Sequence, residues 1–351
     1  MKDLKYICAY TIPVMALIGL WLQDIFTFLT PIYAFGFIPV VELFTPSSKQ
    51  NLNEEERLSK NKKKLFDWLL YLNLPIVYGL LFLTLHICTT TQLETYEIVG
   101  IVISTGIVFG TNGINVGHEL GHRFTKERYI GKALLLPSLY MHFYVEHNFG
   151  HHQKVGTTED PATAKYNQLV YFFWITSAIG QYFSAWKIQT LLLKKNKLSF
   201  FSIKNDMLWY LLITISYLTI VYFTFGFFGL QVALFSGIVG FLLLETINYI
   251  EHYGLVRKKT SSGRYERVKE IHSWNSNHTL GRVLLYELTR HSDHHHRASK
   301  KYQILDHHDQ SPQLPFGYPT SMVLALIPPL WFLIMNKHVP REMKDIAQNP
   351  A

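Results

Sequence analysis

The sequence predicts an all-α, polytopic membrane protein: six transmembrane helices and, on their cytoplasmic side, a histidine-rich cap that holds two metal ions. Three observations predict it. Six segments are apolar over roughly the length that a helix needs to cross a ~30 Å hydrocarbon layer. The basic residues fall on alternate connections between them. Four short histidine clusters return to the same predicted face. With 351 residues, 48% of them hydrophobic and 15% aromatic, and with no internal repeat or long linker, the chain reads as one domain, 1–351.

The predicted spans are 6–22, 25–44, 66–88, 98–116, 208–225 and 228–250. The first resembles a signal peptide. No small-x-small cleavage site precedes Asp24, however, and a second apolar segment follows at once, so a retained span is expected. The 44–66 connection carries Lys49, Arg57, Lys60, Lys62, Lys63 and Lys64, whereas 23–24, 89–97 and 226–227 carry no Lys or Arg. The positive-inside rule then places both termini, the long middle segment and the C-terminal third in the cytoplasm, with the chain in the inner (plasma) membrane. The net charge of +8 is partly this bias and partly a seat for an acidic partner or anionic lipid; nothing in it calls for nucleic acid. Residues 322–335, split by Pro328-Pro329, are too short and broken for a seventh span and read as interfacial or re-entrant.

Only Cys8 and Cys88 are present, both within predicted spans, which excludes a disulfide framework, cysteine-ligated zinc or iron–sulfur, and C-x-x-C-H haem attachment. Histidine is the anomaly, with seventeen. Nine fall in clusters with ligand-like spacing: His118 and His122 in HELGH, His147, His151 and His152 in EHNFGHH, His252 in NYIEHYGL, and His291, His294 and His295 in RHSDHH. Residues three and four apart share a helix face, so each H-x-x-x-H or H-x-x-H-H unit can turn two imidazoles toward one ion. HELGH alone reads as the H-E-x-x-H of zinc proteases. A catalytic zinc takes three protein ligands, so nine histidines overfill it and suit two ions with four or five nitrogens each. No Asp-Gly pair supplies the further ligand of a membrane protease.

The carboxylates beside the clusters, Glu119, Glu146, Glu251 and Asp293, are candidates to accept the second ring N–H of a ligand. Glu119, Glu251 and Asp293 are the candidate catalytic carboxylates. Glu245, Asn248 and His252 share one face of the last span, and Asn115, His118 and His122 one face of the fourth; both faces are expected to line the metal chamber. His272 and His278 are candidates to shape that chamber. His296 is expected beside the cage or in solvent, and His86, His142, His307, His308 and His338 at the interface or surface.

At these clusters, the sequence resembles the integral-membrane alkane 1-monooxygenases, relatives of membrane fatty-acid desaturases and xylene monooxygenase. The likeness runs on through TTEDPATA and YQILDHHDQSPQLPFGYP and covers about residues 1–340. Phe149, Thr289 and His296-Arg297 depart from the family pattern without removing a ligand. The resemblance implies a non-haem di-iron site on His118, His122, His147, His151, His152, His252, His291, His294 and His295. It implies insertion of one oxygen atom of O2 into the terminal C–H of a medium- or long-chain alkane drawn from the bilayer. Electrons would come from NAD(P)H through rubredoxin reductase and rubredoxin. An unactivated methyl group gives acid–base or nucleophilic catalysis no handle, so a redox metal is needed, and zinc cannot change valence. An apolar channel between spans, running up to the histidines, is therefore expected.

Rubredoxin needs four cysteines, so the donor must be a separate chain. An acidic carrier is expected to dock on Arg257, Lys258, Lys259, Arg282, Arg290, Arg297, Lys300 and Lys301. Two alternatives remain open: a related desaturase or hydroxylase acting on fatty acyl, sterol or xylene-type substrates, and a histidine-rich metal transporter.

Overall fold

The computed structural model describes residues 2–123 and 125–348. Among the described residues the fold is helical, with isolated β-bridges as its only extended pairing. Four apolar helices open the chain: α1 (Asp3–Leu22), α2 (Asp24–Phe44), α3 (Leu65–Thr90) and α4 (Thr95–Gly121). Then come α5 (Glu127–Leu135), the helical segment α6 (143–154), α7 (Val170–Lys195), α8 (Asp206–His252) and, in the cap, α9 (His291–His296).

Five helices are long and apolar enough to cross a membrane, α1 to α4 and α8, against six predicted spans. The difference lies in α8, whose 47 residues take in two of the predicted spans. Lys132 Nζ binds Asp206 at 2.7 Å and the Tyr140 hydroxyl donates to Glu245 at 2.7 Å. A straight helix would hold Asp206 and Glu245 about 58 Å apart, whereas the chain from Lys132 to Tyr140 extends at most ~29 Å. α8 is therefore a hairpin of two legs. It turns at Gly226, where φ is 71° and ψ −174°, a backbone that a Cβ would strain. Counted as legs, all six apolar segments are helices.

Asn205 starts the first leg, its side-chain oxygen accepting the amides of Met207 and Leu208. Lipid-facing surface is plain on the outside of the bundle, where Leu17, Phe82, Ile220 and Phe223 are exposed. α4 is the central helix, its apolar window 72% buried against 22% for α2. It packs on the second leg of α8 through Gly106 and Gly110 against Ser236 and Gly240, small residues that let two backbones close up.

α7 was not foreseen as an element. Phe172, Ile175, Ile179 and Phe183 form an exposed apolar stripe at helical spacing, the pattern of a helix lying in the membrane interface. Residues 318–338 form two short helices, Tyr318–Ala325 and Pro328–His338, neither a candidate span, in keeping with the interfacial reading. Trp331 packs there at 5.6 Å from the ring of Tyr249.

The cap is tied to the N-terminal half by buried polar contacts. Tyr6 donates to Glu287 at 2.7 Å, and Arg290 donates to the carbonyls of Leu305 at 2.6 Å and Gln50 at 2.9 Å.

Candidate metal centre

Each ligand sits at the end of a membrane-embedded helix or on a helix packed against one. His118 closes α4 just beyond a π-helical turn, Phe109–Ile114. α5 is pressed against that end: a Cβ on Gly131 would lie 2.8 Å from the Gly117 carbonyl oxygen, and one on Gly117 2.9 Å from that of Gly131. Glycine at both places lets the two backbones touch and fixes where His118 and His122 stand. Gly131→Val should therefore cost ~1–3 kcal/mol of stability and lower metal content. A melt in detergent with metal analysis checks this; an unshifted melt with full metal would contradict the contact.

The nine predicted histidines meet in two groups. His118, His122, His147, His152 and His294 form one, and His151, His252, His291 and His295 the other; within each, the ligand atoms lie within 4.8 Å of one another. A second π turn, His147–His151, does part of the sorting. Spacing of four would pair His147 with His151; the wider turn sets His147 beside His152 and sends His151 to the other group. In α9, His291 and His295 join the second group while His294, on another face, joins the first.

The donor set fits two cations. His118 Nε2 lies 2.8 Å from His147 Nε2, 3.0 Å from His294 Nε2 and 3.2 Å from His122 Nε2. One ring nitrogen carries one proton or one lone pair and cannot satisfy three partners at once. Around an ion with M–N of ~2.1 Å, adjacent nitrogens at right angles stand ~3.0 Å apart, the spacing found. The second group repeats it, with His291 Nε2 at 3.2 Å from His252 Nε2 and 2.8 Å from His295 Nε2. Burial, reinforced by neighbouring rings, pushes His122, His147, His152, His291, His294 and His295 well below the usual histidine range, which keeps their lone pairs available.

His151 differs: its Nδ1–H donates to Asp160 at 2.9 Å, while its Nε2 has no hydrogen-bond partner. Burial opposes charge on both groups. Their mutual attraction outweighs it, holding Asp160 below the usual carboxylate range and His151 above the usual histidine range. His252 Nδ1 faces the His272 carbonyl at 3.4 Å. Sequence reasoning missed Asp160, although TTEDPATA was recognised as part of the resemblance. Asp160-Pro161, nine residues past His151, was the available signal.

Of the four neighbouring carboxylates, Glu251 alone reaches a ligand ring among the described residues. Its Oε2 lies 3.2 Å from His291 Nε2, on the metal side of the ring, and its Oε1 accepts from Tyr318 at 2.9 Å. Glu119 instead meets Arg123 at 3.4 Å and the Tyr302 amide at 3.3 Å. Asp293 braces the cap through Lys300 at 2.5 Å, His308 at 2.8 Å and the Asp306 amide at 2.8 Å. Glu146 lies near Ser184 at 3.5 Å, and burial first, then the nearby Asp160, pushes it up to about 8. These three support helices and loops rather than the ligand rings.

A pocket of about 20 Å³ opens on His118, His147 and His291, walled by Gly110, Phe143, Leu244, Ile247 and Leu288, with Asn115, Asn248 and Glu251 as its polar members. The expected chamber faces thus meet, with one correction: Glu245 turns away to Tyr140 and to Gln181 at 2.8 Å. Gln181 comes from α7, the helix that the sequence reading passed over, so nothing foretold a partner on that side. The pocket holds about one water or methyl group, so where a channel was expected there is a small, mainly apolar pocket.

His272 contributes its carbonyl, and His278 bonds Ser276 at 3.0 Å, away from the cage. His296 is exposed. His142 and His307 are buried, against expectation. His142 lies 4.3 Å from the Tyr140 ring, and His307 faces Asn277 at 3.2 Å.

Residues 95–320 match the fatty acid desaturase family. The chain is 35% identical to alkane 1-monooxygenase 2 of Alcanivorax borkumensis, over 97% of this chain and 91% of that one. It is 38% identical to alkane 1-monooxygenase 1 of Pseudomonas aeruginosa, over 88% and 81%. The chain belongs to the fatty acid desaturase family, on the alkane 1-monooxygenase branch. The hydroxylase component of a xylene/toluene monooxygenase from Pseudomonas putida is more distant, at 27% over 80% and 76%. Membership makes the protein a membrane-embedded monooxygenase and gives the two histidine groups their meaning as its metal-binding centre.

Proposed function

We propose that the protein hydroxylates the terminal carbon of medium- or long-chain alkanes, with two iron ions in the cage and electrons delivered by a separate rubredoxin that is reduced from NAD(P)H through rubredoxin reductase. The observation that carries this reading is the pair of buried histidine groups, each with its ligand atoms within 4.8 Å of one another, beside a mainly apolar pocket. Overall, RH + O2 + 2 electrons + 2 protons gives ROH + H2O. When bound, the metal pair supplies the redox chemistry with O2 that an unactivated C–H bond requires.

The chain's own residues do the rest. His118, His122, His147, His152 and His294 would hold one ion, and His151, His252, His291 and His295, with Glu251 alongside, the other. Asp160 keeps the His151 proton on Nδ1 and so its lone pair on Nε2. Phe143, Leu244, Ile247 and Leu288 bound the space for a terminal methyl group and exclude bulk water. Phe143 comes from α6, Leu244 and Ile247 from the second leg of α8 and Leu288 from the cap just before α9, so a lipid-dissolved chain would enter from the side of the α8 leg.

Internal partners narrow the cations open to the donor. Arg257, Arg282 and Arg290 are held by internal carbonyls or by Glu287. Lys258 pairs with Glu342, Lys300 with Asp293 and Asp306, and Lys301 with Asp67. We place an acidic rubredoxin over half-buried His152, whose ring lies 4.5 Å from that of His295, two residues before exposed Arg297 and with Lys154 two residues past His152. Arg297→Glu is then expected to raise the apparent KM for reduced rubredoxin several-fold with kcat kept; an unchanged KM would remove this placement. The cap and both termini would face the cytoplasm at the inner membrane.

Octane, hexadecane, xylene and an acyl lipid, each supplied with 18O2 and reduced rubredoxin, test the reading. Labelled 1-alkanol from an alkane supports it. Turnover of xylene or acyl lipid alone, or label from water only, overturns it.

A further inference from the structure

A second cavity, of about 690 Å³, lies against α6 but contains no histidine. Its rim and its floor differ in chemistry. Arg128, Lys132 and Lys204 stand at the rim with a single carboxylate, Asp206. That carboxylate is already engaged, by Lys132 at 2.7 Å and by the Tyr210 hydroxyl at 3.2 Å. Arg128 rests on the Tyr129 ring at 5.3 Å, and no carboxylate pairs with it or with Lys204 among the described residues. The floor runs over Leu136 and Leu192 to Ile213 on the first leg of α8 and Tyr78 on α3, both within candidate spans. Exposed Trp209 stands beside the rim, the side chain found where a bilayer meets water.

An occupant must therefore be anionic at one end and apolar at the other, with its tail at lipid depth. The alkane substrate has no charge to offer the rim. A free inorganic anion has nothing to offer the floor. Basic pockets between spans are matched to anionic lipid head groups, and the volume is that of an ordinary ligand site. We propose that this groove binds an anionic phospholipid from the leaflet on the metal-centre side. Phe149, in the π turn between His147 and His151, lines the same groove, so the bound lipid would brace the turn that carries two ligands and leads into His152.

The full chain, delipidated and purified, is offered phosphatidylglycerol or phosphatidylcholine of the same acyl length, and retained lipid is counted by native mass spectrometry. Phosphatidylglycerol should be retained preferentially. Each cation near the surface is worth roughly fivefold, so Arg128→Gln with Lys204→Gln should weaken retention by roughly 25-fold and the single Lys204→Gln by roughly fivefold. The single variant, at an exposed position, stands in if the double variant folds poorly. Equal retention of the two lipids would overturn the proposal, as would phosphatidylglycerol retention unmoved by Lys204→Gln. Displacement of the lipid by millimolar inorganic phosphate would also overturn it, since the site would then take an anion rather than an amphiphile.

Discussion

Replacing His151 by alanine is expected to leave one metal ion per chain where the intact protein should bind two, and to abolish turnover. The second histidine group has four members, so losing His151 leaves three, whereas the first group has five and tolerates a loss better. His122→Ala, which leaves four, should retain both ions with weaker affinity and reduced turnover. The loss at His151 should exceed the ~10–100-fold that follows removal of an outer partner, because the lone pair itself disappears. Metal stoichiometry of the two variants, purified without added metal, with product formation measured alongside, decides it. Equal loss in both, or two ions in both, would show that the two groups are not separate sites.

The sequence made the ligands legible because imidazole clusters at helix ends leave a signal that a single chain can carry: residue type and spacing. It made the spans legible through run length, down to the break at Gly226 that turns one long helix into two legs. It did not show which histidine serves which ion. That sorting depends on the π turn at His147–His151, and a π turn alters the helical period without altering composition. Neither Glu119 nor Asp293 reaches a ligand ring, for a related reason. Adjacency in sequence places a carboxylate on a different helix face from the ligand beside it, so each found a partner elsewhere, Arg123 for one and Lys300 for the other. Charge counting overstated the unpaired cations on the expected docking face because ion pairs are tertiary. Lys301 looks free in the sequence and is held by Asp67, 234 residues away.

Asp160→Asn should weaken metal binding in the four-histidine group by ~10–100-fold although residue 160 touches no metal site directly. The carboxylate accepts three hydrogen bonds, from His151 Nδ1–H at 2.9 Å, the Thr163 hydroxyl at 2.6 Å and the Ala162 amide at 3.2 Å. Each holds it in place, and the first holds the ring tautomer. An amide is nearly the same shape but has one acceptor oxygen and an NH2 group. With the NH2 turned to His151, Nδ1 must become the acceptor and the ring proton moves to Nε2, the atom that should face the metal. With the oxygen turned there instead, the amide lacks the charge that raises the ring's basicity. Either way the ligand is poorer, so chelator competition should strip one ion from the variant at lower chelator concentration, with helix content unchanged. Thr163→Val removes a bond to the same carboxylate but leaves its charge and its bond to His151, and should have a much smaller effect. If Asp160→Asn held both ions as tightly as the unmodified chain, the carboxylate would be only a brace for the loop at 157–164, and the lone pair on His151 would owe nothing to it.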